Sequence, residues 1–248
     1  PTVIGKDGAS TTYVVPASFA KTLSNTTGIK TTVDSPVKAT IEQTPVPSWG
    51  LDRIDATDVI LNNSYRYTST GNSSYVYVID TGIYSGHADF AGRVTSGYSA
   101  ISDGNGSEDC NGHGTHVAGT IAGSTYGVAK STRVVAVRVL DCAGSGFSSS
   151  VVAGINWVTQ SHPGGAGIIN LSLGGSANSA IDSAVASATA AGLTVVVAAG
   201  NSSADACSSS PARAPSALTI GAIDRADSQA SYSNYGSCVD LWAPGTNI

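Results

Sequence analysis

The chain has 248 residues, of which 12% are charged, 29 are glycine and none is methionine, with a formal net charge of -5 at pH 7. Intrinsic disorder would demand more charge and less apolar content, and nucleic-acid binding would demand clustered Lys and Arg, so both are excluded. No apolar run approaches the roughly 20 residues that a membrane-crossing helix needs, which argues against a membrane partner.

The length suits one large domain plus an extension. A start at Pro1, without an initiator or an apolar leader, points to a trimmed piece of a longer product. Cys110, Cys142, Cys207 and Cys238 form an even set, and sequons stand at Asn25, Asn62, Asn72, Asn105, Asn170 and Asn201. Both features suit a secreted, extracellular protein, and four cysteines leave three pairings open.

Residues 1–43 read as an N-terminal arm. Thr11 to Val15 is a short strand-like run, Phe19 to Leu23 starts a helix, and Val37 to Ile41 is strand-like again. Pro45-Val46-Pro47 then interrupts any regular element and marks a boundary. From there strands and helices alternate. Tyr75 to Ile79 is a buried-type strand ending in Asp80-Thr81-Gly82, and His113 to Ala122 is a helix of small residues. Arg133 to Leu140 is a strand. Ser148 to Ser161 is a helix with Val151, Val152, Ile155 and Val158 at helical spacing and Ser148 or Ser149 as its N-cap. Ile168 to Leu173 is a strand, Ser179 to Ala191 an Ala-rich helix stopped by Gly192, and Leu193 to Ala199 and Ala217 to Ala222 are further strands. Near-continuous apolar strands separated by helices predict an α/β fold, a parallel sheet covered on both faces. In such sheets the chemistry gathers beyond the carboxyl ends of the strands, where Asp80 and Asn201 fall.

Three residues stand out. Asp80 reads either as a turn carboxylate or as the partner that fixes the tautomer of a catalytic histidine. His113, between Gly112 and Gly114, reads as a packed histidine, as a general base paired with Asp80, or as part of a Cys110, His113, His116 metal cluster. His116 itself reads as structural. Asn201 reads as a turn residue or as an amide donor aimed at an oxyanion.

The motifs VIDTG at 78–82, NGHGTHVAGT at 111–120, NLSLGG at 170–175 and AAGN at 198–201 strongly resemble those of the subtilisin-like serine proteases. WGLDRID at 49–55, VLDCAGSG at 139–146, SPAR at 210–213 and SNYGSCVDL at 233–241 are similar to the proteinase K and aqualysin branch. The resemblance runs from Pro47 to Ile248 and implies a three-layer subtilisin-like fold lacking its C-terminal portion. It implies broad-specificity hydrolysis of peptide bonds, favouring apolar or aromatic P1 residues, by an Asp-His-Ser triad. Asp80 would support His113, His113 would act as general base, and Asn201 would bind the oxyanion. Gly144-Ser145-Gly146 and Ser172-Leu173-Gly174 would flank an extended peptide substrate as two backbone edges. The resemblance also implies bridges Cys110–Cys142 and Cys207–Cys238, and a structural Ca²⁺ on Asp240 with the carbonyls of Pro215 and Ala217. It implies no cofactor for catalysis and a monomer.

Residues 18–43 resemble the end of the family's inhibitory pro-segment, with Val37 and Ile41-Glu42-Gln43 matching. That implies a zymogen processed near Gln43-Thr44, a partial pro-segment over 1–43 and a peptidase domain over 44–248. The family's nucleophile motif, Gly-Thr-Ser-Met-Ala-x-Pro, has no match, and Ser210 before Pro211 lacks its context. The expectation is therefore a chain inactive as it stands, with its serine beyond residue 248. The alternative is a catalytically dead homologue that binds peptides.

Overall fold

The computed structural model describes residues 2–7, 10–25, 29, 31 and 40–248. Two compact units divide at Ala39 and Thr40. In the first unit, β1 (Thr2–Asp7) and β2 (Ser10–Val14) form an antiparallel pair, followed by α1 (Ala17–Leu23) behind Pro16. Residues 37–39 of the expected strand Val37 to Ile41 lie outside the described residues.

The second unit opens with β3 (Ile41–Gln43), α2 (Trp49–Ile54), β4 (Tyr65–Tyr67), β5 (Ser74–Asp80) and β6 (Val94–Ser99). It continues through α3 (His113–Ala122), β7 (Arg133–Arg138), α4 (Ser148–Ser161), β8 (Ala166–Leu171) and the two-residue β9 (Gly175–Ser176). Then come α5 (Ser179–Ala190), β10 (Thr194–Ala198), β11 (Ser209–Ser210), β12 (Leu218–Ile223) and β13 (Leu241–Pro244). β3 pairs antiparallel with β4, so Ile41–Gln43 packs with the second unit.

Seven strands form one parallel sheet in the order β13-β12-β10-β8-β5-β7-β6. Strand period explains its two cores, because successive side chains point to opposite faces. Tyr77 and Ile79 of β5, with Val135 and Val137 of β7, join one cluster with Val151, Ile155 and Val158 of α4 and Ile181, Val185 and Ala188 of α5. Val76 and Val78, with Val134 and Ala136, face the other way onto Ala118 and Ala122 of α3 and onto Phe90. Burial on both faces is why these strands read as unbroken apolar runs rather than alternating ones.

The helices start where short-range chemistry lets them. Asn178 Oδ1 accepts from the N–H groups of Ala180 and Ile181 and caps α5. α4 differs from expectation: its N-cap is Phe147, with no side-chain cap, and Ser148 is already helical. Phe147 is 80% exposed, so that helix start projects an aromatic ring instead of hiding a hydroxyl.

Candidate active site

Asp80 is the last residue of β5 and His113 the first of α3. What joins them is a close approach of two backbones. A Cβ on Gly114 would lie 2.1 Å from Gly82 O and 3.1 Å from Asp80 Cβ. Only glycine lets the helix start press against the strand end. Gly112, the N-cap, sits at φ 106, in the left-handed region.

Asp80 is fully buried. Its Oδ1 accepts from Thr81 N at 2.7 Å and pairs with His113 Nδ1 at 2.7 Å. Its Oδ2 has no partner among the described residues, so the imidazole is the main compensation for this buried charge. The hydrogen bond to Asp80 pushes the His113 pKa above its ordinary 6.5, burial pulls it down, and the charges of Asp80 and Asp109 add to the rise. The ring is half exposed, and Nε2 has no hydrogen-bond partner among the described residues. The arrangement is a solvent-accessible base backed by a buried anion.

A second carboxylate holds the loop around this pair, and it did not stand out in the sequence. Asp109 Oδ1 accepts from the N–H groups of Asn111 and Gly112 and from Thr81 Oγ1, and Oδ2 accepts from Thr115 N and Oγ1. Burial pushes its carboxyl up, yet the bonds from Gly112, Thr115 and Asn111 together hold it below the usual 3.8. Thr81 Oγ1 in turn accepts from Gly114 N at 2.9 Å, tying β5 to α3.

A cleft opens beside His113, lined by Gly144, Ser145 and Gly146 on one edge and by Ser172, Leu173 and Gly174 on the other. The first, or near, edge is held by Asp141, whose Oδ1 accepts from Ala143 N and Ser145 N. Asn111 Nδ2 also donates to Cys142 O at 3.0 Å. The Cys110–Cys142 disulfide joins this edge to the His113 loop, and Cys207–Cys238 is the second bridge. The second, or far, edge continues from β8 into β9, which pairs antiparallel with β11.

The structure thus brings together Asp80, His113 and both backbone edges, and it forms both disulfides that the resemblance implied. It overturns the metal reading of Cys110, His113 and His116, because Cys110 is disulfide-bonded and His113 Nδ1 is committed to Asp80. Asp103 approaches Cys110 and Cys142 too, but the guanidinium of the fully buried Arg138 occupies that corner, at 2.6 Å from Asp103 Oδ2 and 3.2 Å from Cys110 Sγ. Arg138 holds the Asp103 carboxyl well below the usual carboxylate range.

Asn201 falls three residues past β10, at the same carboxyl edge of the parallel sheet as Asp80. It is exposed, and it does not line the cleft. Its loop is organised by Asn234, whose Oδ1 accepts from Ser202 N and Ala204 N while Nδ2 donates to Ala199 O. Ser210 is fully buried, and its Oγ donates to Asp182 Oδ1 at 2.6 Å, a geometry that excludes it as a nucleophile. Asp240 Oδ2 accepts from Thr219 N, two residues beyond Ala217.

Residues 71–248 match the family model described as the subtilase family. The chain is 56% identical to an extracellular serine proteinase of Thermus sp. (strain Rt41A), over 87% of this chain and 52% of that protein. It is 50% identical to proteinase T of Parengyodontium album, over 86% of this chain and 72% of that protein. Its structure is similar to the crystal structure of a cold adapted subtilisin-like serine proteinase, with a TM-score of 0.80 and 51% identity, covering 83% of this chain and 74% of that one. The chain spans about half the length of the Thermus relative and 37% of an alkaline serine exoprotease A of Vibrio alginolyticus.

Proposed function

The chain belongs to the subtilase family, and from that premise we propose that it carries the Asp–His arm of a secreted serine endopeptidase. Its nucleophilic serine lies beyond Ile248. The observation that carries this reading is the 2.7 Å pair between fully buried Asp80 and half-exposed His113. With Nδ1–H donating to Asp80, Nε2 holds the lone pair. It takes a proton from the serine hydroxyl as that oxygen attacks the scissile carbonyl. The buried carboxylate stabilises the imidazolium so formed, and the same proton then passes to the departing amine. Asn201, exposed at the carboxyl edge of the sheet and outside the cleft lining, is the oxyanion donor of this reading once the serine-bearing segment completes the site. That role is worth about 3 kcal/mol of transition-state stabilisation, the size known for the oxyanion asparagine of subtilisin itself.

The substrate is a polypeptide bound as an extended strand between Gly144–Gly146 and Ser172–Gly174. Edges of small residues give it few side-chain constraints, and the exposed ring of Phe147 beside the near edge favours apolar sequences. The segment ending at Gln43 is a removable inhibitor, in keeping with the separate compact unit formed by residues 1–39. Secretion is supported by extracellular relatives and two disulfides, and no helix among the described residues is long and apolar enough to cross a membrane.

The residues around Asp240 fit a structural Ca²⁺. Asp240 Oδ1 has no protein partner among the described residues, and Ser216, between Pro215 and Ala217, has a buried hydroxyl without one. Pro215 O, Ala217 O and Asp240 make an oxygen-only donor set, which suits a hard cation. The ion would pin the start of β12 to the loop before β13.

The test is to express the reading frame with its sequence downstream of Ile248. The product hydrolyses casein and is silenced by a serine-directed organophosphate. Asp80→Asn lowers kcat by about four orders of magnitude, the size known for triad aspartates in serine proteases. The 248-residue chain alone gives no turnover. A frame that stops at Ile248, or hydrolysis untouched by Asp80→Asn, overturns the proposal.

A further inference from the structure

The far edge poses a mechanical question. Ser172, Gly174 and β9 carry little side chain, and a Cβ on Gly175 would meet nothing within 4 Å. Packing therefore holds this edge at one residue, Leu173, whose partly buried side chain lies against the larger core, and leaves Gly174 and β9 unplaced. Its ladder to β11 has two residue pairs, Ser209 with Ser176 and Ser210 with Gly175. A ladder that short does not hold itself.

One carboxylate supplies the missing anchor. Asp182 sits in the first turn of α5, and its Oδ1 accepts from Ser210 Oγ at 2.6 Å. Ser210 Oγ also accepts from Asn178 N at 2.9 Å, so the hydroxyl bridges β11 to the capped start of α5. Asp182 Oδ2 accepts from Arg213 Nε at 2.8 Å, fixing the chain just past β11. The helix carrying Asp182 is rooted in the larger core through Ile181, Ala184, Val185 and Ala188. Ser210 is fully buried, which makes its bond to a carboxylate strong and costly to lose.

We propose that Asp182 is a positioning residue for the far substrate edge: through Ser210 it locks β11 against β9, and so sets where Ser172–Gly175 stands relative to the near edge. This rests on the reading of the two edges as the walls of a peptide groove. Asp182 touches no substrate, and its effect falls on peptide binding rather than on proton transfer at His113.

The experiment is equilibrium binding of a fluorescein-labelled tetrapeptide ending in phenylalanine amide to the 248-residue chain. Wild type, Asp182→Ala, Asp182→Asn and Ser210→Ala are compared at a temperature where circular dichroism shows each one folded. Asp182→Ala weakens binding about tenfold, as expected when a wall shifts by a fraction of an ångström. Asp182→Asn recovers most of the affinity, because its amide oxygen still accepts from Ser210. Ser210→Ala, which leaves the Asp182–Arg213 pair intact, weakens binding in the same direction and carries the test if Asp182→Ala does not fold. In the active enzyme the change raises KM and leaves kcat. Wild-type affinity in folded Asp182→Ala overturns the proposal, as does wild-type affinity in Ser210→Ala. A wild-type chain that binds no peptide overturns the groove reading itself, and that result is recognisable because it needs no variant.

Discussion

At the near edge a Cβ on Gly146 would lie 2.5 Å from Val139 O, and Gly144 sits at φ 77. At the far edge a Cβ on Gly174 would come no nearer than 3.8 Å, to Ser210 O, and one on Gly175 would meet nothing within 4 Å. The near glycines are required by the fold, which uses them to close the turn of Asp141 to Ser145 against β7. The far glycines are not required by the fold, so their bareness serves whatever lies against them. The fastening differs in the same way. The near edge is joined to the His113 loop by the Cys110–Cys142 bridge and by Asn111, so base and near edge move as one body. The far edge is fastened to α5, through Asp182 and Ser210.

The largest way to break this comparison is to cut one staple at a time. The two disulfides close loops of nearly equal length, with sequence separations of 32 and 31. The chain-entropy argument makes each worth about 3–4 kcal/mol. Replacing both cysteines of either pair with alanine therefore lowers stability by similar amounts in a denaturation experiment. Peptide affinity at a temperature where both variants are folded separates them. It falls for Cys110→Ala with Cys142→Ala, which frees the near edge, and it holds for Cys207→Ala with Cys238→Ala. Equal losses of affinity would mean that the near edge needs no tether.

A smaller effect comes from adding one methyl group to each region. Gly114→Ala forces a backbone oxygen, Gly82 O, away from a carbon placed at 2.1 Å, and backbone cannot yield cheaply. The start of α3 shifts off β5 and the Asp80–His113 bond lengthens. A displacement of about 1 Å costs about 100-fold in kcat. Gly175→Ala meets no atom, and it removes freedom from the unfolded chain, so stability rises by about 0.5 kcal/mol. If the far edge is a substrate wall, that stabilising change weakens peptide binding. Turnover assays of the first variant in the enzyme extended past Ile248, and denaturation with peptide titration of the second in the 248-residue chain, check the pair.

Legibility in the sequence divides along the same line. α3 reads to the residue, because its glycines, its alanines and His113 mark both ends. β5, β7, β8, β10 and β12 read to within two residues at each end, because burial on both faces leaves unbroken apolar runs. β6 (VTSGYS) and β13 (LWAP) do not read at all: they are the two edge strands, partly exposed, and have no apolar run to show. The compact units divide at Ala39 and Thr40, ahead of the proline run at 45–47, and Ile41–Gln43 pairs with Tyr65–Tyr67 across more than twenty residues, a contact that no local pattern shows. Asp80 and His113 are visible as a motif. Asp109 and Asp182 are not, and Ser210 and Asn234 fall within the SPAR and SNYGSCVDL motifs without showing what they bond to. Each of them works by hydrogen bonds to partners whose distance along the chain follows no period. Ser210 meets Asp182 across 28 residues and Asn234 meets Ala199 across 35. Polar residues in loops look alike until the fold says which backbone groups they serve.

The smallest effect is a shift along the pH axis, and it bears on the catalytic arm alone. In the folded chain the His113 pKa stands above 6.5 because protonation strengthens the bond to Asp80, with Asp109 nearby adding to the field. A folded-state pKa raised above the unfolded one stabilises the protein at pH values below the unfolded pKa. That contribution is lost as pH rises through the folded value. In the proposed mechanism catalysis needs the opposite state, the neutral ring, so activity of the enzyme extended past Ile248 is expected to climb over the interval in which this contribution to stability drains away. In a proton NMR titration His113 of the wild-type chain gives a midpoint above that of an unfolded histidine. Asp80→Asn brings the midpoint down, because desolvation then acts without its counterion, and Asp109→Asn brings it down by less. Asp182→Ala leaves it where it was, since the far edge does not share the field of the near one. A His113 midpoint that moves with Asp182 would mean that the two edges are coupled through the sheet, and the separation between a catalytic body and a binding wall would fail.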